Sequence, residues 1–134
     1  MKTEHFLVVH DEAMQTGECP IWHAVESALY WVDIPGLTVH RLHPASGKYS
    51  AWKMDSEPSA LAIDIDNNLG ISTRNGFVYL NTSSGEVEDI APAPYDTKIM
   101  RFNDGRVDPA GRFWVGTIYE PRDQPKAEMY VLDR

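Results

Sequence analysis

Ser27–Ile34 reads SALYWVDI and is followed at 39–52 by VHRLHPASGKYSAW. The same order of turn, strand, turn, strand and Ser-Gly returns at 67–90 as NNLGISTRNGFVYLNTSSGEVEDI, and a third time as GRFWVGTI at 111–118 with MYVLD at 129–133. Leu29 answers to Leu69 and Phe113, and Gly47 to Gly85, a period of about 40 residues, which with four strands per unit is the signature of a β-propeller blade. Helical periodicity is nearly absent, and short runs rich in Val, Ile, Tyr, Trp and Thr alternate with turn residues, the pattern of an all-β protein. Strands are expected near Phe6–His10, Glu18–Trp22, Ala28–Ile34, Thr38–His43, Tyr49–Met54 and Ala60–Asp64. More are expected near Leu69–Thr73, Phe77–Asn81, Val87–Ile90, Gly105–Asp108, Phe113–Ile118 and Met129–Leu132, with no helix longer than a turn. A β-sandwich of short strands is the competing architecture. The third unit stops at Arg134 without its fourth strand, and known propellers close with at least four blades. Residues 1–134 therefore read as a partial propeller domain of about two and a half blades, with the remaining blades missing from the chain.

Composition narrows the function. With 43% hydrophobic and 24% charged residues, the 134-residue chain has the balance of a globular protein with a core. Its net charge of −8 disfavours nucleic acid and anionic membrane as partners and suits a cation site. The single cysteine, Cys19, excludes an intrachain disulfide and a CxxC pair. The apolar run at the N-terminus spans only Phe6–Val9, too short for a signal peptide, and no stretch reaches the length of a membrane span. The cytoplasm is the expected compartment.

Three segments carry most of the information: GECPIW at 17–22, YWVDIPG at 30–36 and RFNDGRVDPAGRFWVGT at 101–117. Together they resemble the gluconolactonase/regucalcin family of sugar-lactone hydrolases, in order and over nearly the whole chain, which would be about half of a full member. The resemblance implies a six-bladed propeller holding one divalent metal cation, calcium or zinc, with magnesium or manganese as further candidates. Its ligands would be Glu18 and, much later, an Asn and an Asp beyond this chain. An anionic oxygen on an inner strand suits a hard cation, whereas Glu18 taken alone reads as a solvated charge at a strand end. Arg101 and Asn103 would contact the hydroxyls and lactone oxygen of a sugar lactone, since Arg offers a fixed fork of donors and Asn a donor and an acceptor. In the competing reading, RFNDG shapes a turn, with Asn103 and Asp104 bonding the backbone. Glu120, in GTIYEP, is a further substrate-binding candidate, although family members with the acidic residue one place later align it with Pro121.

Other signals read as structural. Asp64, Asp66 and Asn68 resemble a calcium loop, but the sixth and twelfth positions are Leu69 and Asn75 rather than Gly and Glu. The five histidines lack HExxH spacing and no GxSxG elbow is present, which argues against zincin or serine hydrolysis. Cys19 and the four tryptophans read as packing. The resemblance implies hydrolysis without a covalent intermediate, with the catalytic base in the missing half; no residue of this chain is expected to be that base. The complete protein would be a monomer or weak oligomer, and the isolated fragment inactive and poorly stable. A calcium-binding regulator of the same fold and a propeller interaction scaffold are the rival functions.

Overall fold

The computed structural model describes residues 5–133. It is built of antiparallel sheets, with no helix among the described residues. The first blade comprises β1 (Gly17–His23), β2 (Ala28–Asp33), β3 (Thr38–His43) and β4 (Lys48–Lys53), hydrogen-bonded in that order. The second comprises β5 (Pro58–Ile63), β6 (Leu69–Thr73), β7 (Gly76–Leu80) and β8 (Val87–Pro92). The third sheet has three strands, β9 (Met100–Val107), β10 (Phe113–Tyr119) and β11 (Met129–Leu132), with β10 in the middle. The second strands of the three units are those aligned through Leu29, Leu69 and Phe113. This is the propeller topology, each unit a meander running from an inner strand to the rim.

Period-two patterning explains the stacking. Ala28, Tyr30 and Val32 of β2 turn toward the second blade, where they join Val39, Met54, Leu61, Leu69, Ile71, Val78 and Leu80 in one buried cluster. The middle blade is covered on both sides, so all of β6 is buried. Its other face, with Ala60, Ala62 and Phe77, packs on Phe102, Phe113 and Val115 of the third sheet. Gly70 is needed at that contact, because a Cβ there would stand 2.6 Å from the Phe77 ring. Outer strands β4 and β8 are largely exposed, as rim strands should be.

The three inner strands run the same way. His23 Nε2 meets Asn67 O at 3.2 Å, joining the β1–β2 turn to the β5–β6 turn. At the opposite end Arg74, after β6, donates to Met100 O at 3.1 Å, where β9 begins. We call this second end the entry end, since β1, β5 and β9 all start there.

Two expectations need correction. Phe6–His10 is not a strand: Leu7 makes an isolated bridge, and Phe6, Leu7, Val8 and Val9 are exposed. The run has no polar–apolar alternation, so its sequence does not specify which face is buried. His10, at its end, stacks on Tyr49 with ring centroids 4.2 Å apart. The strand expected at Gly105–Asp108 begins instead at Met100, so RFNDG lies inside a strand and not before one. Buried Met100 and Phe102 alternate with the more exposed Arg101 and Asn103, a strand pattern masked by the charged residues around it.

Candidate functional site

Each inner strand is irregular near the entry end. Pairing slips between Glu18 and Ile21 on β1, between Pro58 and Ala60 on β5, and between Phe102 and Gly105 on β9. A bulge bends a strand and re-aims the residues within it, and it recurs beside functional sites. Here the three bulges hold Cys19 with Pro20, then Ser59, then Asn103 with Asp104.

The first bulge is anchored from both sides. Asp33, 7% exposed, accepts the N–H groups of Gln15 and Thr16 at 3.0 Å each and of Gly36 at 3.2 Å. Burial alone would raise its pKa, but these three donors outweigh it and hold the carboxyl below its ordinary range. The chain thus enters β1 at a fixed point. Cys19 then takes a left-handed backbone, φ 52°, and its sulfur accepts Leu61 N–H at 3.3 Å. Burial pushes the thiol pKa up, with smaller effects from the charges of Asp104, Arg106 and Glu18. The bulges of β1 and β9 are therefore within electrostatic reach of each other. Glu18 is exposed.

On β9, Arg101 Nη1 donates to Phe102 O at 2.9 Å and to Asn103 Oδ1 at 3.3 Å. The two candidate sugar contacts are thus one half-buried unit, and the amide oxygen of Asn103 is directed to the guanidinium rather than to a turn. Asp104, exposed, accepts Gly105 N–H at 3.0 Å.

Glu120 belongs to a different arrangement. Arg74 grips both of its oxygens, Nη1 at 2.7 Å and Nη2 at 2.9 Å, and also donates through Nε to Glu57 at 2.9 Å. The Arg74 hydrogen bond holds the Glu120 carboxyl below its usual pKa, with a smaller contribution from the charge of Arg101. Glu120 therefore shares the entry end with Arg101 and Asn103, but both its oxygens already have a partner. Glu18 lies at the same end, across β5, and among the described residues no hydrogen bond joins it to the others.

A cation site is not formed by these residues alone. Among the described residues no three His, Cys, Asp or Glu side chains group to hold a metal ion. Glu18 offers one carboxylate, while calcium takes about six to eight oxygens and zinc about four donors. Asp33, Arg74, Glu57 and Tyr95, which order this end, were not singled out by motif reading. Asp33 had a signal, an acid two places before the Pro-Gly of YWVDIPG. Arg74 had none, because Thr97, Met100 and Glu120, which it grips, lie beyond its own blade.

Comparison with known proteins accords with this fold. Residues 16–134 match the family described as SMP-30/Gluconolactonase/LRE-like region. A 6-deoxy-6-sulfogluconolactonase of Pseudomonas putida is 38% identical over 118 residues, which cover 87% of this chain and 40% of that protein. Regucalcin of Gallus gallus is 37% identical over 84% of this chain and 38% of its own length. Among solved structures, a calcium-binding protein, regucalcin, from Agrobacterium tumefaciens superposes with a TM-score of 0.87 at 28% identity, over 93% of this chain and 42% of that one. A gluconolactonase from Xanthomonas campestris shares the fold, with a TM-score of 0.73 at 18% identity over 93% of this chain and 46% of that one. The chain spans about 40% of the length of the curated relatives it matches. It belongs to the SMP-30/gluconolactonase/LRE-like family.

Proposed function

From that membership we propose that the chain supplies the opening blades of a sugar-lactone hydrolase, its entry end forming one wall of the substrate site. The observation that carries the reading is the placement of Glu18, Arg101 and Asn103, all within family motifs, at the one end where the three inner strands start and bulge. Arg101 keeps its Nε and Nη2 donors for hydroxyls while Nη1 is occupied by Phe102 O and Asn103 Oδ1. With its oxygen occupied, Asn103 has its amide N–H groups to donate to a ring or carbonyl oxygen. Those donors orient a polyhydroxylated lactone and favour the oxyanion as water adds to the carbonyl.

In this reading Glu18 is one carboxylate ligand of a divalent cation, calcium or zinc, and the other ligands and the base come from beyond these residues. A bound cation would supply Lewis-acid polarisation of the carbonyl or a more acidic water. The name of the Agrobacterium relative, a calcium-binding regucalcin, favours a second reading in which cation binding itself is the function.

The test joins residues 1–134 to the remaining blades of the Pseudomonas relative and follows proton release from D-glucono-1,5-lactone in a pH-stat. Opening that stops with chelator and returns with calcium or zinc is expected. Calcium binding with no opening above the spontaneous rate would replace the hydrolase reading with the regulatory one.

A further inference from the structure

Arg74 stands in the turn between β6 and β7, yet its guanidinium serves the neighbouring blade. Besides Glu57 and Glu120, its Nη1 donates to Thr97 O at 3.0 Å and Met100 O at 3.1 Å. Its own carbonyl accepts the Tyr95 hydroxyl at 2.9 Å, and the Tyr95 oxygen in turn accepts Phe102 N–H at 2.8 Å. The segment entering β9 is therefore tied to residue 74 both before and after Arg101: at Thr97 and Met100 through the side chain, and at Phe102 through Tyr95. Burial of Tyr95, which pushes its phenol pKa up to about 12, keeps it a neutral donor in this relay. The Arg74 side chain is only 18% exposed, and its bonds to Glu57, Thr97 O and Met100 O are part-buried, where water competes less than at the exposed Glu120.

We propose that Arg74 is the positioning residue of the sugar-facing wall. It fixes the start of β9 and takes up the Glu120 carboxylate, and so sets where Arg101 and Asn103 stand without touching substrate itself. An ammonium cannot replace it. The bonds leave all three guanidinium nitrogens toward two carboxylates and two carbonyls on three chain segments, the two Nη1 hydrogens being shared among three acceptors, whereas lysine concentrates three donors at one point. The kinetic consequence of this proposal rests on the lactonase reading; its structural content does not.

The first experiment is hydrogen–deuterium exchange on the whole 134-residue chain. Arg74→Lys should speed exchange in peptides covering 96–104 roughly 10-fold, as expected for loss of about one hydrogen bond's net contribution, with peptides of β2–β4 unchanged. Unchanged exchange at 96–104, or an equal rise everywhere, would overturn the proposal. Should Arg74→Lys fail to fold, Glu120→Gln retains the arginine and its carbonyl contacts, and a smaller rise in the same peptides is expected; no rise overturns it. In the joined form used for the activity test, Arg74→Lys should raise KM for the lactone about 10-fold with kcat within about twofold at equal folded fraction. Unchanged KM would make Arg74 a stability contact only. If the wild-type joined form opens no lactone, the hydrolase reading fails, and the exchange result alone decides for or against Arg74.

Discussion

The two blade interfaces are built by the same repeat and held by different chemistry. Between the first and second blades the buried cluster is chiefly aliphatic, with Val32, Val39, Leu61, Leu69, Ile71 and Leu80 closing it. Between the second and third the contact is largely aromatic, through Phe77, Phe102 and Phe113, with Tyr95 and Tyr130 beside them. That second interface leaves a cleft of about 180 Å³ walled by Phe77, Phe102, Phe113 and Tyr130. At the entry end the same two blades are also joined by an ion pair, Arg74 of the second, itself held by Glu57, against Glu120 of the third. Aliphatic packing only stabilises. An ionic clamp stabilises less, because desolvation offsets much of its Coulombic gain, but it fixes direction, which the proposed sugar contacts at Arg101 and Asn103 would require. The difference therefore separates a joint that holds from a joint that aims.

The comparison breaks most directly at the first interface. Leu69, with no exposure, should cost about 2–5 kcal/mol of stability when replaced by Ala, from lost transfer energy and the cavity left behind. Denaturant titration checks it. A change below about 1 kcal/mol would mean that this joint is not the stabilising one.

Arg74→Ala at the second joint should cost less, roughly 1–3 kcal/mol, because Glu57 and Glu120 can turn to water while Thr97 O and Met100 O lose their donor. Unlike Leu69→Ala, it should disturb Arg101 and Asn103 out of proportion to the stability lost. Equal stability loss from the two variants would erase the distinction between the joints.

Much of this was legible in the sequence and some could not be. The roughly 40-residue period and the Val/Ile/Tyr runs disclosed blades, because a strand whose two faces must both be buried leaves a local pattern. RFNDG falls inside β9, which starts at Met100 and not at the expected Gly105, because Arg101, Asn103 and Asp104 read in sequence as a polar entry. Phe6–His10 reads as a strand through the apolar run Phe6–Val9, but apolarity without alternation does not specify one. The Arg74 clamp was out of reach: its partners lie 17, 23, 26 and 46 positions away, and a single Arg in a hairpin turn carries no sign of which neighbour it will grip.

Acid should also separate the joints. Glu120 has its folded-state pKa lowered by the Arg74 hydrogen bond, so the unfolded chain binds the proton more tightly. The stability due to this pair is fully present above the unfolded pKa of about 4.3 and is lost as pH falls through the lower folded value. Exchange in peptides 96–104 should therefore accelerate on going from about pH 5 to about pH 3 in the wild type, after correction for the intrinsic pH dependence of exchange. Glu120→Gln should flatten that response, because the titrating group is gone. Asp33, lowered by its three N–H donors, should produce an analogous acid response at the start of β1 in both proteins. A response at 96–104 that persists unchanged in Glu120→Gln would assign the acid sensitivity to another group.

The smallest expected effect falls on the residue that touches both joints. Cys19 packs against the aliphatic and the aromatic clusters alike, and its sulfur accepts Leu61 N–H at 3.3 Å. Replacing it by Ala removes a single sulfur and one weak acceptor, for about 1 kcal/mol. The left-handed φ of 52° is unsuited to Cys and Ala equally, so backbone strain cancels in the comparison. Burial raises the thiol pKa, and only the thiolate alkylates readily. In the native state iodoacetamide at about pH 8 should therefore label Cys19 more slowly than in the denaturant-unfolded chain, where the thiol pKa is near 8.5. Because the thiol lies under both joints, loosening either one should speed labelling, and Leu69→Ala should do so more than Arg74→Ala. Labelling that responds to Arg74→Ala alone would place Cys19 under the ionic joint only, and the two interfaces would then be opening independently of one another.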